Sequence, residues 1–345
     1  MSIRDGKVLN RSQIETQIAK LCKPVGSLGL IEEFAVRLCE IQGTFKPVTR
    51  PRSVTIFAAD HGVTEEGVSA WPSHVTRSVV QMMQSSRTAS GAFADVLDCE
   101  YEVVDIGLTT PLANYDAVTL DCSKRRETGN LRVETALSDD DFEHAWHVGT
   151  ERATAAVKAG SRMLIGGEMG IGNTTAATCL IALLCEVSEH YLLDSIVGTG
   201  AGIDGARLAQ KRKVVQDAVG RVRRHGSLTP RQIGCHVGGL EIVGLAGFYA
   251  AGAQMGVTVL IDGMISTSAA LLAEVVQPGC VQQMIAGHLS TEPAHKIALK
   301  QLGLEPLLDL QMRLGEGTGA LAAVPMLDLA AAMMNKMALI SDLQQ

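Results

Sequence analysis

Short apolar runs alternating with longer helical patterns restrict the fold of this chain more than anything else in it. Ser53-Val-Thr-Ile-Phe-Ala-Ala59, Tyr101-Glu-Val-Val-Asp-Ile106, Arg162-Met-Leu-Ile165, Ser195-Ile-Val197 and Val257-Thr-Val-Leu-Ile261 read as strands. Near-continuous apolarity of this kind marks strands buried on both faces. Helical patterns run through two segments of 10–42, split by a Gly/Pro turn, and through 75–96, 141–159, 174–187, 206–224, 238–254 and 266–276. Residues 110–135 read as irregular and the C-terminal third as helical. The stretch 321–340, broken by Pro325, Asp328, Asn335 and Lys336, reads as a core helix too polar to span a bilayer. Such alternation predicts an α/β fold with a mostly parallel sheet covered on both faces. Ligands of these sheets bind beyond the strand C-termini. Here those ends carry Asp60-His61-Gly62, Asp105-Ile106-Gly107, Gly166-Gly167-Glu168 and Asp262-Gly263, which would line one rim.

Composition narrows the function. The 345 residues are 46% hydrophobic and 19% charged, so a large core is available and disorder is disfavoured. Aromatics at 3% argue against stacking platforms for single strands, and a net charge of −7 argues against a phosphate-backbone binder, so no nucleic-acid partner is expected. Eight cysteines without a CxxC pair read as reduced thiols of a cytoplasmic protein. The N-terminus lacks the apolar stretch of a signal peptide, and no membrane partner is expected.

Three glycine-rich stretches carry the chemistry. Gly166-Gly-Glu-Met-Gly-Ile-Gly-Asn-Thr-Thr175 lies between a strand and a helix. Its glycines let backbone N–H groups approach an anion at the helix N-terminus, while tight strand-to-helix packing with an ordinary cap is the plainer reading. No Gly-Lys-Ser/Thr follows, so it is not a Walker loop. Gly198-Thr-Gly-Ala-Gly-Ile-Asp-Gly205 contains a formal GxGxxG, a weak dinucleotide signal here because its strand is short and no acidic partner ends a next strand; a second phosphate-cradling turn fits better. In the following helix, Lys211 falls within the apolar stripe of Val214, Val215, Ala218 and Val222. A lysine there either snorkels, forms a structural ion pair or meets a bound phosphate. Arg221, Arg223 and Arg224 read as a solvated face. In Arg313-Leu-Gly-Glu-Gly-Thr-Gly-Ala320, Glu316 is flanked by glycines that leave its carboxylate unshielded. A helix-dipole role accounts for it, as does a general base with a raised pKa.

The histidines add less. His144 and His147 lie three apart on a helix without a third ligand, so no metal is expected. His61, at a strand end, is either a site residue or a satisfied structural histidine. The absence of Gly-x-Ser-x-Gly argues against a serine hydrolase.

Taken together, Lys23-Pro-Val-Gly-Ser-Leu-Gly29, Ala58-Ala-Asp-His-Gly-Val63, Val68-Ser-Ala-Trp-Pro72, Val104-Asp-Ile-Gly107, Gly167-Glu-Met-Gly-Ile-Gly-Asn-Thr-Thr175, Gly238-Gly-Leu-Glu241, Asp262-Gly263, Ser290-Thr-Glu-Pro-Ala-His295 and Gly315-Glu-Gly-Thr-Gly-Ala320 occur in order over residues 10–340. The set resembles the nicotinate-nucleotide:dimethylbenzimidazole phosphoribosyltransferases, which build the lower-ligand nucleotide of cobalamin. The resemblance implies a Rossmann-like parallel sheet in a large α/β domain, 46–299, plus a small helical domain from both chain ends, 1–45 and 300–345. It implies a homodimer that uses no cofactor and takes nicotinate mononucleotide and dimethylbenzimidazole as substrates. Glu316 matches the family's catalytic base. Nucleotide and phosphate contacts would fall to Glu168, Gly170, Gly172, Asn173, Thr174, Thr175, Gly200, Gly202, Lys211 and Ser290, and base contacts to Ser69, Arg77, Ser78, Asp60 and His61.

Three departures stand out. Ser78 occupies a position where glutamine is common in the family, the Pro-Pro-Gly turn is Pro24-Val25-Gly26, and the Ser-His-Arg-Ser segment is Gly287-His-Leu-Ser290. The first and third bear on which base is preferred, and a small Ser78 with Arg77 nearby leaves room for purine-like or phenolic bases. An NAD-dependent oxidoreductase, resting on the single GxGxxG, and a non-catalytic paralogue are the rival classes.

Overall fold

The computed structural model describes residues 9–188 and 195–344. Seven strands form one parallel sheet: β1 (Arg52–Ala59), β2 (Glu100–Gly107), β3 (Thr119–Asp121), β4 (Met163–Met169), β5 (Thr258–Ile261), β6 (Met284–His288) and β7 (Pro306–Leu308). Their spatial order is β3-β2-β1-β4-β5-β6-β7. The chain thus builds outward from β1 in one direction, then restarts at β4 and builds in the other. The boundary between β1 and β4 is the topological switch, the place where such sheets open a ligand crevice beyond their carboxyl ends.

Side-chain alternation along the strands feeds two cores. Phe57 and Ala59 of β1 join Val104, Leu164 and Val259 on one face, whereas Val54, Ile56 and Ala58 join Val103, Ile165 and Leu260 on the other. The first face is covered by α5 (Asp139–Lys158), α6 (Asn173–Leu184), α7 (Gly205–Arg223), α8 (Pro230–Val237), α9 (Leu240–Gln254), α10 (Met264–Val276) and α11 (Ala294–Leu302). The second is covered by α1 (Arg11–Ala19), α2 (Leu30–Gln42), α3 (Val75–Met83), α4 (Ala89–Val96) and α12 (Thr318–Lys336). An isolated bridge from Leu21 to Leu339 ties the two ends of the chain together beside α12. Alone, α12 is long and apolar enough to cross a bilayer. Here Leu321, Val324, Leu327 and Ala330 are buried in the second core instead.

Several expectations need correction. Ser195-Ile-Val197 is not a strand; Ile196 and Val197 are buried in a turn and extended loop, so their apolarity reports packing without sheet pairing. The C-terminal third contains β6 and β7. The first is only five residues and includes Gly287, and the second starts at a proline, tolerable because β7 is an edge strand. Residues 75–96 form two helices, since Thr88 caps α4 by accepting from Gly91 N and Ser86 turns the chain at φ +52°. The 238–254 pattern starts at Leu240, with Pro230–Val237 a separate helix capped by Thr229. Within the irregular 110–135 region, Thr119–Asp121 pairs with β2.

Candidate active site

β4 ends in Gly166-Gly-Glu-Met169 at the switch, and the chain turns through Gly170 and Gly172 into α6. Gly172 takes φ +99°, which a side chain would strain. The turn points the α6 N-terminus into a cavity of about 330 Å³. That volume suits a small organic ligand, at the low end of the usual range. Glu168, Gly170, Gly172, Asn173, Thr174, Gly200, Ser290, Ser69 and Glu316 all line it. Stretches distant in sequence, around residues 68–79, 168–174, 199–203, 263–265, 288–292 and 313–316, therefore converge there.

Glu316 is placed by its neighbours. Its own φ is +59°, between Gly315 at +87° and Gly317 at +73°. Asp262, at the end of β5, accepts from the backbone N–H of Gly317 (3.1 Å), Gly319 (2.7 Å) and Ala320 (3.0 Å), anchoring the turn to the sheet. A methyl group on Gly167 would fall 2.8 Å from the Gly317 nitrogen, so the missing side chain in β4 is what lets the turn approach. The Glu316 carboxylate is only 7% exposed and its Oε2 accepts from Ser90 Oγ at 3.2 Å. Burial pushes this carboxyl above the usual range, with Asp262 adding and Ser90 opposing. Glu168 is displaced further: burial, then the charges of Glu241 and Asp262, push its pKa well above the usual carboxylate range. Asn173 Nδ2 donates to Glu168 Oε2.

Across the cavity, Gly198–Ala201 meets the α6 N-terminus. Lys211 is fully buried beneath this junction, its Nζ donating to Thr174 Oγ1 (2.9 Å) and to the Gly198 carbonyl (3.2 Å). Burial lowers its pKa while Glu292 pulls the other way. Lys211 thus supports both turns from behind and does not line the cavity. Glu292 accepts from Gly200 N at 2.8 Å, and Arg313 Nη1 donates to the Gly200 carbonyl at 2.9 Å. Both line the cavity, yet sequence reasoning assigned neither a role. Their signal was faint: an acid just before the proline that caps a helix, and one arginine ahead of a glycine-rich run. Ser290 is held from the backbone, its N–H donating to His295 Nδ1 at 2.9 Å. His295 Nε2 then donates to Thr267 Oγ1 at 2.8 Å; burial drives this imidazole down to about 3, so it is neutral.

The remaining sequence-derived site residues stand apart from the cavity. Thr175 is buried in α6 and Gly202 lies beyond the lining. Asp60 accepts from Ser73 Oγ and Thr109 N, tying two loops together. His61 and Glu241 form a fully buried pair, Nε2 to Oε1 at 2.6 Å, packed under Gly170 and Gly239. Burial disfavours the charged ring, but the Glu241 contact outweighs it and the His61 pKa is raised. Arg77 Nε donates to the Pro111 carbonyl and the exposed Ser78 donates to the His74 carbonyl. On α3 the wall is made by Val75 and Val79, which with Trp71, Ile171, Met264 and Leu314 give the cavity an apolar side.

Comparison with known proteins then decides the class. A phosphoribosyltransferase family model matches residues 7–343. The chain belongs to the phosphoribosyltransferase family. It is 42% identical over 328 residues to the nicotinate-nucleotide–dimethylbenzimidazole phosphoribosyltransferase of Chromobacterium violaceum, covering 95% of this chain and 93% of the relative. The enzyme of the same name from Thermus thermophilus is 40% identical over 320 residues, 93% of each chain. The crystal structure of CobT from Thermus thermophilus superposes with a TM-score of 0.91 at 39% identity, covering 97% of this chain and 98% of that one. With phosphoribosyl transfer as the family's chemistry, the oxidoreductase reading of the GxGxxG lapses: Gly200 and Gly202 form a turn at φ +53° and +100°, and Gly205 opens α7 behind its Asp204 cap.

Proposed function

We propose that this chain transfers phosphoribose from nicotinate mononucleotide to dimethylbenzimidazole or a related base, giving α-ribazole 5′-phosphate and nicotinate in cobalamin nucleotide-loop assembly. The observation that carries the reading is the meeting, in one cavity, of an anion-favouring helix N-terminus, an apolar wall and the buried Glu316 carboxylate. The α6 N-terminus and the Gly198–Ala201 turn grip the phosphate, Lys211 reinforces them and Arg313 adds positive charge. Glu168, its charged form disfavoured by burial, faces the nucleotide. The flat heterocycle lies against Val75, Val79 and Ile171, with Ser69 at its edge.

The residues divide the reaction simply. The lone pair of one base nitrogen attacks C1′ of the ribose as the bond from C1′ to the pyridinium nitrogen breaks. That electron pair leaves nicotinate neutral at nitrogen, so no general acid is needed. Attack opposite the leaving group inverts the anomeric centre from β to α. Positive charge growing on the incoming base is relieved when Glu316 accepts its N–H proton. Holding two aligned rings in one cavity supplies much of the remaining acceleration.

Glu316→Gln tests this: turnover of nicotinate mononucleotide, followed by mass spectrometry of the products, falls by ~10²-fold or more while nucleotide binding persists. Undiminished turnover rules out the base role. Offering benzimidazoles, purines and phenols together in the same assay ranks the acceptors; the apolar wall favours methylated benzimidazoles. We further propose a cytoplasmic homodimer. Eight free thiols support the compartment, and exposed Val25, Leu30, Leu310 and Leu314 support a partner.

A further inference from the structure

Behind Glu316 runs a short row of hydroxyls that the mechanism above leaves unused. Ser90, the second residue of α4, is fully buried. Its Oγ lies 3.2 Å from Glu316 Oε2, 2.8 Å from the Tyr101 hydroxyl and 3.0 Å from Thr88 Oγ1. Tyr101 comes from β2 and Thr88 is the cap of α4, so helix, strand and glycine turn meet at one serine. Among the described residues no other side chain donates to the Glu316 carboxylate. The backbone of Glu316 is bracketed by glycines and does little to restrict its side chain.

We propose that Ser90, backed by Tyr101, is the positioning residue that holds Glu316 ionised and aimed at the incoming base. The inference rests on Glu316 being the proton acceptor. A carboxylate only accepts, and a serine hydroxyl has one proton, so with Glu316 ionised the Ser90 proton points at Oε2. Tyr101 then donates to Ser90 Oγ, giving a row with one direction: Tyr101 to Ser90 to Glu316. Burial raises the Tyr101 pKa and keeps that phenol protonated. Once Glu316 has taken the base's proton on Oε1, Oε2 is still an acceptor, so Ser90 goes on donating to it and Tyr101 to Ser90. Oε2 is thereby occupied in both states and Oε1 is left for the substrate.

The electrostatic setting makes the serine matter. The titratable neighbours facing Glu316 are Asp262 from the end of β5, Glu168 from β4 and Tyr101 from β2, while α4 presents only the neutral Ser90 and Thr88. Arg313 and His288 line the same cavity, but Arg313 is bonded to the Gly200 carbonyl and His288 faces Asp262 at 3.4 Å. Ser90, through its hydroxyl and its backbone N–H, is the group that favours the charged carboxylate.

The test is the pH dependence of kcat in Ser90→Ala, Ser90→Thr and Tyr101→Phe, alongside Glu316→Gln. For Ser90→Ala the acid limb moves up by about one pH unit and kcat at neutral pH drops ~10-fold, with the nucleotide KM within ~2-fold. Ser90→Thr, which keeps the hydroxyl, restores the limb. Tyr101→Phe moves it up by a smaller amount and stands in if Ser90→Ala does not fold. An unmoved limb and unchanged kcat in Ser90→Ala, or an unmoved limb in Tyr101→Phe where that variant stands in, overturns the proposal while an inactive Glu316→Gln keeps the base role intact. An active Glu316→Gln overturns the base role itself.

Discussion

At the scale of single residues, buried charge is the informative quantity. Lys211 was legible in the sequence because a cation within an apolar helical stripe has to be matched by something. The structure supplies the match as Thr174 Oγ1 and the Gly198 carbonyl, with Glu292 near enough to offset part of the burial. Lys211→Met therefore loosens two turns and leaves the buried Glu292 carboxylate without its nearby cation. We expect the nucleotide KM to rise about ten-fold, the cost of one charge-assisted hydrogen bond, with kcat close to wild type and a lowered denaturation midpoint. Isothermal titration with nicotinate mononucleotide checks it; an effect confined to the base excludes the phosphate role. Ser78 illustrates the opposite outcome. Its place in a family motif drew attention, but on α3 the cavity faces Val75 and Val79, one turn apart, and residue 78 is rotated away from them. A motif names a segment, whereas helical phase decides which of its residues touches a ligand.

At the scale of elements, close approach of backbones decides more than side-chain chemistry. α5 and α9 touch through glycine: a methyl on Gly149 would fall 1.8 Å from the Gly244 carbonyl oxygen, and one on Gly247 would fall 2.2 Å from the Trp146 carbonyl oxygen. Neither obstacle is a flexible side chain. Gly149→Ala should lower the free energy of unfolding by about 3 kcal/mol or more, at the upper end of overpacking costs, read from urea denaturation. An alanine tolerated there would mean the two helices can slide apart. The elements that sequence missed fail for related reasons. Three-residue β3 and β7 carry too little period to be seen, and five-residue β6 becomes a strand only because β5 and β7 lie beside it.

At the scale of the whole molecule, the sheet order puts the site where it is. β1 and β4 are neighbours although about a hundred residues separate them in sequence, and the crevice at their ends receives the α6 N-terminus from one side and the Glu316 turn from the other. Apolar side chains remain outside both cores: Val25 is 79% exposed, Leu30 67% and Leu314 58%. Their burial by a second copy predicts a molar mass in light scattering twice that of one chain at micromolar concentration. A monomer at that concentration removes the dimer from the proposal.

Local pattern was enough for the parallel α/β class, the glycine turns, the flanking of Glu316 by glycines and the apolar stripe around Lys211, because each depends on neighbours within a few residues or on a period along one element. Glu292, Arg313, Ser90, the Val75–Val79 wall and the exclusion of Asp60 and His61 from the cavity were beyond its reach. Those follow from which strand ends meet and how closely, and contacts between residues 180 or more apart in the chain, such as His61 with Glu241 and Ser90 with Glu316, leave no trace in local spacing. Only packing the sheet, with its restart at β4, brings them together.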